Sequence, residues 1–335
     1  MSLEKTSLSI GYIPLLDCVA LLWADAQGYY AEFGLDVELI REASWASLRD
    51  RLRYGFLDAA HCLSAMLPAA ALEDERNQVR LQTPLVLSIN QAFISLRQDI
   101  CHTLGIQSHE DEAHSALKVV NALNEQQPIH LAYVYPHSIH HYCLKEWLAL
   151  ADAKTAKETA MLTSPPPFMV KGISEHIFDG FCVGEPWNLQ AQLEGHSFII
   201  GSSRNIIPAV ADKVLAITDD WAQQHPNTVV ALTQAIAKAQ TDLHQLEDLT
   251  PVWQMLRDYD IIQFACGPQQ HVHAYEKISQ LIRHLVQPSA SPQSQDFEWM
   301  LKQMQKWNDV EVSEDQIKHI AAQCVYSFDR TQITI

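Results

Sequence analysis

From Ser7 onward the chain alternates short apolar runs with longer amphipathic stretches: SLSIGYIP, CVALLWADAQGYYAEF, LDVELIRE, WASLRDRLRYG, then FLDAAHCL. Short apolar runs bounded by turn residues read as buried strands, and apolar positions recurring at helical spacing read as one-faced helices. The resulting β-α-β-α-β order implies parallel strands joined by crossover helices. Gly28 and Gly34 punctuate the end of the first helix and Gly55 follows the second, where a chain leaving a helix turns left-handed most readily. A further strand, TPLVLSIN at 83–90, runs into QAFISL.

The acidic stretch HEDEAHSALKVVNALNEQQ (109–127) predicts a solvated helix, after which the rhythm restarts. IHLAYVYP (129–136) reads as a strand, SIHHYCLKEWLALA (138–151) as a helix and TAMLTS as a strand. PPFMVKGISEHI then reads as a proline-opened helix, and DGFCVG (179–184) as a buried strand that closes at EPWN. HSFIIGSS and KVLAIT are two more strand candidates; beyond Asp219 the pattern is nearly all helical, with a loop at 287–295. The sequence shows no internal repeat and no low-complexity tract.

A chain of 335 residues exceeds the size at which one core keeps growing, so two lobes are expected. The second rhythm is nested inside the first. Residues 1–89 and 187–335, with the C-terminal helices, make one doubly wound α/β lobe, and residues 90–186 make the other, with chain crossings near 88–91 and 184–188. That is an α/β clamshell whose ligand is expected between the lobes, beyond the carboxyl ends of strands where helices begin.

Composition narrows the partners. Hydrophobic residues at 47% and charged residues at 19% leave no case for extensive disorder. A formal net charge of −17 argues against direct binding of nucleic acid, which draws its affinity from Lys and Arg on phosphates. An anionic ligand therefore needs a local pocket. Seven scattered cysteines without a CxxC pair suit a reducing compartment, and neither a leader-like start nor a run long enough to span a membrane is present. On these grounds the chain is expected to be cytoplasmic.

The densest chemistry is PHSIHHY at 136–142, with His137, His140 and His141 inside five positions. His137 and His141 are four apart, but neither HExxH nor a Cys/His quartet accompanies them, so no metal ligand is assigned. No GxSxG, GxGxxG or GxxxxGK[ST] occurs, and no catalytic residue is assigned. Ser138 is placed to cap the following helix, which puts His140 in its first turn, where free N–H groups and the helix dipole favour an anion. The strand LDVELIREA repeats this grammar: Ser44 is placed to cap and Trp45 opens the next helix. Gln91 offers an uncharged donor at the first crossing, and Lys213 stands just before an apolar strand. On the residues alone the plainer readings come first: surface or capping histidines, a core Trp45, and a solvated Gln91 and Lys213.

The set GYIPLLDC, ASWASLRDRL, DAAHCLSAM, NQAFISL, PHSIHHYCLKEWLA, PPPFMV and above all DGFCVGEPWN resembles the nitrate- and bicarbonate-binding solute receptors of the NrtA/CmpA group. The resemblance runs from about residue 8 to Trp221 and more faintly to Tyr326. It implies a type II periplasmic-binding-protein-like clamshell, with nitrate or nitrite held by residues matching Trp45, Gln91, His140 and Lys213 and with no cofactor. Bicarbonate-binding members carry an acidic residue near the lysine position and recruit calcium, so retention of Lys213 favours nitrate or nitrite. Two departures stand out: CysValAla at 18–20 replaces the usual small and proline residues, and 98–115 matches nothing in the pattern.

With its first strand close to the start, the chain resembles the signal-less branch of NasS-type nitrate and nitrite sensors, and that resemblance implies a cytosolic sensor that holds an RNA-binding antiterminator of the NasT type and releases it on binding ligand. The alternatives are a periplasmic receptor preceded by a leader peptide, with an ABC transporter permease as partner; a regulatory domain from a transporter ATPase subunit; and an enzyme on the same fold.

Overall fold

A computed structural model describes residues 2–73, 79–108, 111–264, 271–288, 291–308 and 310–328. Cys266 and His109 lie outside the described residues. Among those described, the strands follow as β1 (Ser7–Tyr12), β2 (Asp36–Arg41), β3 (Ala59–Leu63), β4 (Leu81–Gln82), β5 (Val86–Ile89), β6 (Ala92–Arg97), β7 (Leu131–Tyr133), β8 (Met161–Thr163), β9 (Gly180–Gly184), β10 (Ser197–Ser202) and β11 (Ala211–Thr218). They divide between a first unit, Met1–Ile89 with Val210–Ile335, and a second, Asn90–Ala209.

In the first unit the sheet order is β2-β1-β3-β11-β4, with β5 also on β11. β1 is parallel to β2 and β3, and β11 runs antiparallel to β3. Every residue of β3 is buried, as expected of a central strand covered on both faces, whereas β2, at the edge, exposes part of its length. Beyond β11 the helix Pro226–Gln245 lays its apolar face against helix Val19–Ala26. That contact is pinned at Asp242, which accepts from Trp23 Nε1 at 2.7 Å and Tyr29 Oη at 2.8 Å.

In the second unit the order is β10-β6-β9-β7-β8, with β7 parallel to β8 and β9 and β6 antiparallel to β9. The path β8-β7-β9-β6 thus repeats β2-β1-β3-β11 with the same strand directions, a repetition of topology that the sequence does not display as a repeat. Residues 187–209 belong to this unit, beyond the boundary at 186 read from the sequence. The reason is that β10 completes the sheet on β6, and helix Trp187–Leu193 packs beneath it.

The two units also share a local device. Asp58, at the entry to β3, donates its N–H to Ser9 O at 2.8 Å and accepts from Ser9 N at 2.9 Å. Asp179, at the entry to β9, donates to His130 O at 2.7 Å and accepts from His130 N at 2.8 Å. Each aspartate follows a helix that ends through a left-handed residue, Gly55 (φ 72°) in one unit and His176 (φ 57°) in the other. The six cysteines among the described residues are buried and unbridged.

Candidate functional site

In the first unit the site draws on the turn after β1, the helix after β2, and strands β3 and β11. Ser44 leaves β2 extended and its hydroxyl accepts from Ser47 N at 3.1 Å, which caps helix Trp45–Arg53 and fixes Trp45 at the first helical position. The Trp45 side chain is buried, and its Nε1–H has no acceptor among the described residues. Lys213, in β11, is fully buried with its ammonium 5.7 Å from the Trp45 ring centroid. Trp45 and Lys213 are therefore brought together.

Three further residues, which the sequence reading does not single out, complete the cluster. Lys213 Nζ lies 3.0 Å from Asp17 and 2.7 Å from Asp212, while His61 Nε2 lies 2.9 Å from Asp17. All are at most 4% exposed. His61 also lies against Trp45, with ring centroids 5.7 Å apart, and its Nδ1 has no partner among the described residues. Ser88, paired in register with Lys213, is buried with an equally unpartnered hydroxyl. The signal that could have pointed to His61 is a titratable residue inside the wholly buried strand AAHCL.

Burial and charge pull these groups apart. Burial would raise the Asp17 carboxyl, but Lys213 and His61 outweigh it and hold it well below its ordinary value. Burial pushes Asp212 up to about 6, with Asp17 adding to the rise against the pull of Lys213. Burial lowers His61 despite the carboxylate beside it, which keeps its imidazole neutral. Lys213 loses to burial but gains more from its two carboxylates and stays charged. The cluster can accept and donate protons, and it presents an ammonium and an indole N–H, two groups that suit an oxyanion.

In the second unit Ser138 caps helix Ile139–Ala149 by accepting from His141 N at 3.2 Å, which puts His140 in the first turn, fully buried. Gln91 immediately precedes β6, and its Oε1 accepts from Arg204 at 3.4 Å. Helix Ser203–Ile206 ties these two regions: it packs on helix Ile139–Ala149, and the Ser203 hydroxyl accepts from Ala92 N at 2.9 Å. The other histidines of PHSIHHY are occupied otherwise. His141 donates Nδ1–H to Pro136 O across 2.9 Å and stacks on Tyr133 at a 4.4 Å centroid distance. Among the described residues, no group of three or more His, Cys, Asp or Glu is placed to hold a metal ion, and no helix is long and apolar enough to cross a membrane.

A model of the NMT1-like family matches residues 1–256. The bicarbonate transport ATP-binding protein CmpC of Synechocystis sp. is 31% identical over 319 residues, which is 92% of this chain and 47% of that protein. The nitrate/nitrite binding protein NrtA of Nostoc sp. is 30% identical over 247 residues, 71% of this chain and 54% of that protein. The chain spans about half the length of the curated relatives it matches. Among solved structures, the periplasmic nitrate-binding protein NrtA from Synechocystis superposes with a TM-score of 0.81 at 23% identity, covering 96% of this chain and 86% of that one. By sequence and by fold the chain belongs to the NMT1-like family, with the NrtA/CmpA-type receptors that its motifs resemble.

Proposed function

We propose that this chain is a receptor for a small monovalent oxyanion of the nitrate, nitrite and bicarbonate class, bound through Trp45, Gln91, His140 and Lys213, and that a protein partner reads its liganded state. The observation that carries the reading is the fully buried Lys213 ammonium beside a buried Trp45 whose indole N–H lacks an acceptor among the described residues. An ion this small offers little apolar area, so its binding has to come from charge-assisted donors that replace its water shell. The names of the relatives support the ligand class: one is a bicarbonate transport protein and another a nitrate/nitrite binding protein. Thermal unfolding with nitrate, nitrite or bicarbonate tests it. A bound anion at a hundredfold excess over its Kd adds about 3 kcal/mol of stability, and Lys213→Ala abolishes that gain. A full stabilisation retained in Lys213→Ala moves the site elsewhere.

Two partners are consistent with that receptor. One, implied by the resemblance to NasS-type sensors, is an antiterminator of the NasT type, gripped by the unliganded chain and released by nitrate. Similarity to ATP-binding proteins, CmpC and the nitrate import protein NrtC, favours instead a component of a transport system. Both require that partner and anion alter each other's affinity by the same factor. Anion titrations with and without each purified partner separate them, and identical affinities in the presence of a given partner eliminate it.

A further inference from the structure

The buried cluster around Lys213 carries the wrong sum of charges for an anion site. Lys213 contributes one positive charge, and Asp17 and Asp212, at 3.0 Å and 2.7 Å, contribute two negative ones. His61, held neutral by burial, adds none. An anion arriving at the ammonium would share one cation with two carboxylates, in a place where solvent screens little because every member is at most 4% exposed. Yet the buried Nε1–H of Trp45, whose ring lies 5.7 Å from that ammonium, and the buried Oγ of Ser88, which pairs in register with Lys213, have no partner among the described residues. A single added proton removes the conflict. It neutralises one carboxylate, leaves the Lys213–Asp17 pair intact, and converts an acceptor into an O–H donor.

We propose that the oxyanion binds at Lys213 together with one proton, and that Asp212 is the group that takes it. This rests on the receptor reading above and specifies how that site meets the charge of its ligand. Asp212 is the member suited to the role: Asp17 is held ionised by two neighbours, Lys213 and His61, whereas among the described residues the Asp212 carboxylate meets Lys213 alone. Its carboxyl already sits high in the unliganded protein, and a second anion nearby moves it further in that direction. The proton comes from solvent when the ligand is nitrate, the anion of a strong acid, and forms an O–H bond on an Asp212 oxygen with no other bond broken. Bicarbonate brings its own O–H, which can donate to the ionised carboxylate, so no solvent proton is needed.

The remaining titratable groups on the surrounding elements do not offer a better acceptor. Burial pushes the Cys18 and Cys62 thiols up, so both are already protonated. Glu42, before the Trp45 helix, is paired with Arg51 at 2.7 Å. Asp296, half-buried on helix Ser294–Trp307, accepts from Ala211 N at 3.2 Å. The charged residues of helices Trp45–Arg53, Asp219–Gln224 and Val272–Leu285 are not buried.

Isothermal titration of nitrate into the full chain, in phosphate and in Tris at one pH near 8, reads proton uptake from the difference in heat. Uptake of close to one proton per nitrate is expected, with affinity weakening about tenfold per pH unit on the alkaline side. Bicarbonate is expected to bind with no uptake and with little change over the same range. Asp212→Asn is expected to abolish uptake and level the nitrate profile. A protonated-carboxyl stretch in the nitrate-minus-free infrared difference spectrum of the unaltered protein gives the same answer if that variant does not fold. Nitrate that binds without uptake, or uptake that persists in Asp212→Asn, overturns the proposal while leaving the receptor reading in place. Failure of nitrate, nitrite and bicarbonate to bind at any pH overturns both.

Discussion

Asp212 and Lys213 are consecutive residues of one strand, yet the carboxylate of the first meets the ammonium of the second at 2.7 Å. In a regular strand successive side chains leave on opposite faces. The register of β11 against β5 explains the exception: Ala211 pairs with Ile89 and Lys213 with Ser88, so Asp212 is an extra residue on β11. A bulge of this kind bends the strand and re-aims the side chains beside it. Asp17, almost two hundred residues earlier in the chain, then closes on the same ammonium at 3.0 Å from the turn that follows β1.

That arrangement predicts an asymmetric response to mutation. Lys213→Met removes what is, among the described residues, the only cation within salt-bridge distance of two buried carboxylates, and should cost about 3–5 kcal/mol in urea unfolding at neutral pH. Adding Asp17→Asn and Asp212→Asn to it should restore much of the loss, because neutral amides no longer need a counter-ion. A triple variant as unstable as Lys213→Met alone would show that packing, not charge, dominates there.

The frame of this protein is legible in its residues and its active chemistry only partly so. Ser44 and Ser138 stand before apolar runs and both become N-caps, so Trp45 and His140 fall where the sequence puts them, each buried at a helix start. Such signals are local, and local physics decides them. Asp17, His61 and Asp212 are not legible in that way, because their meeting depends on strands β3 and β11, far apart in the chain, pairing in one register and on one extra residue. The lobe boundary at 186 misses for a related reason: β10 joins β6 antiparallel, a long-range pairing that no nearby residue announces.

His141 gives the second unit an acid sensitivity. Burial lowers its imidazole to about 4, from 6.5, and the ring stays neutral with its Nδ1–H on Pro136 O. Because the folded value lies below the unfolded one, stability is full above about 6.5 and falls as the unfolded chain gains a proton that the native chain refuses. The loss proceeds from about 6.5 down to about 4 and totals up to roughly 3 kcal/mol. His141→Gln should flatten that segment of the stability profile measured by urea unfolding; an unchanged slope would assign the acid sensitivity to another group.

Lys145 is a structural lysine rather than a ligand. Nearly buried, its ammonium donates to the carbonyls of Ala156, Lys157 and Thr159 at 2.7, 3.3 and 2.8 Å, which end the helix Ala153–Glu158. A cation at that end satisfies carbonyls that have no intrahelical partner and faces the negative pole of the dipole. Lys145→Met keeps the aliphatic arm and removes the donors, so a loss of about 1–3 kcal/mol is expected. Anion binding, assayed by the same thermal shift as for the unaltered protein, should keep its size. A lost anion response in a folded Lys145→Met protein would instead tie this lysine to the ligand.

The paired clasps at Asp58 and Asp179 allow the two units to be probed one at a time. Each aspartate fixes the start of its central strand by exchanging two hydrogen bonds with the strand beside it, Ser9 in one unit and His130 in the other. Asp58 also accepts from Trp221 Nε1 at 2.8 Å, and Asp179 faces Arg97 at 3.0 Å. The clasps share no partner, so their effects should be separable. Asp58→Ala leaves Ser9 N and an indole N–H without their acceptor and Lys5 without its carboxylate, Asp179→Ala leaves His130 N without its acceptor while Arg97 keeps Asp99, and each should cost about 1–3 kcal/mol. Native-state hydrogen exchange checks where the loss falls. Asp58→Ala should speed exchange in β1 and β3 and spare β7 and β9, and Asp179→Ala should do the reverse. Equal acceleration in both sheets from either change would mean that the units open as one cooperative body, so that neither clasp acts locally.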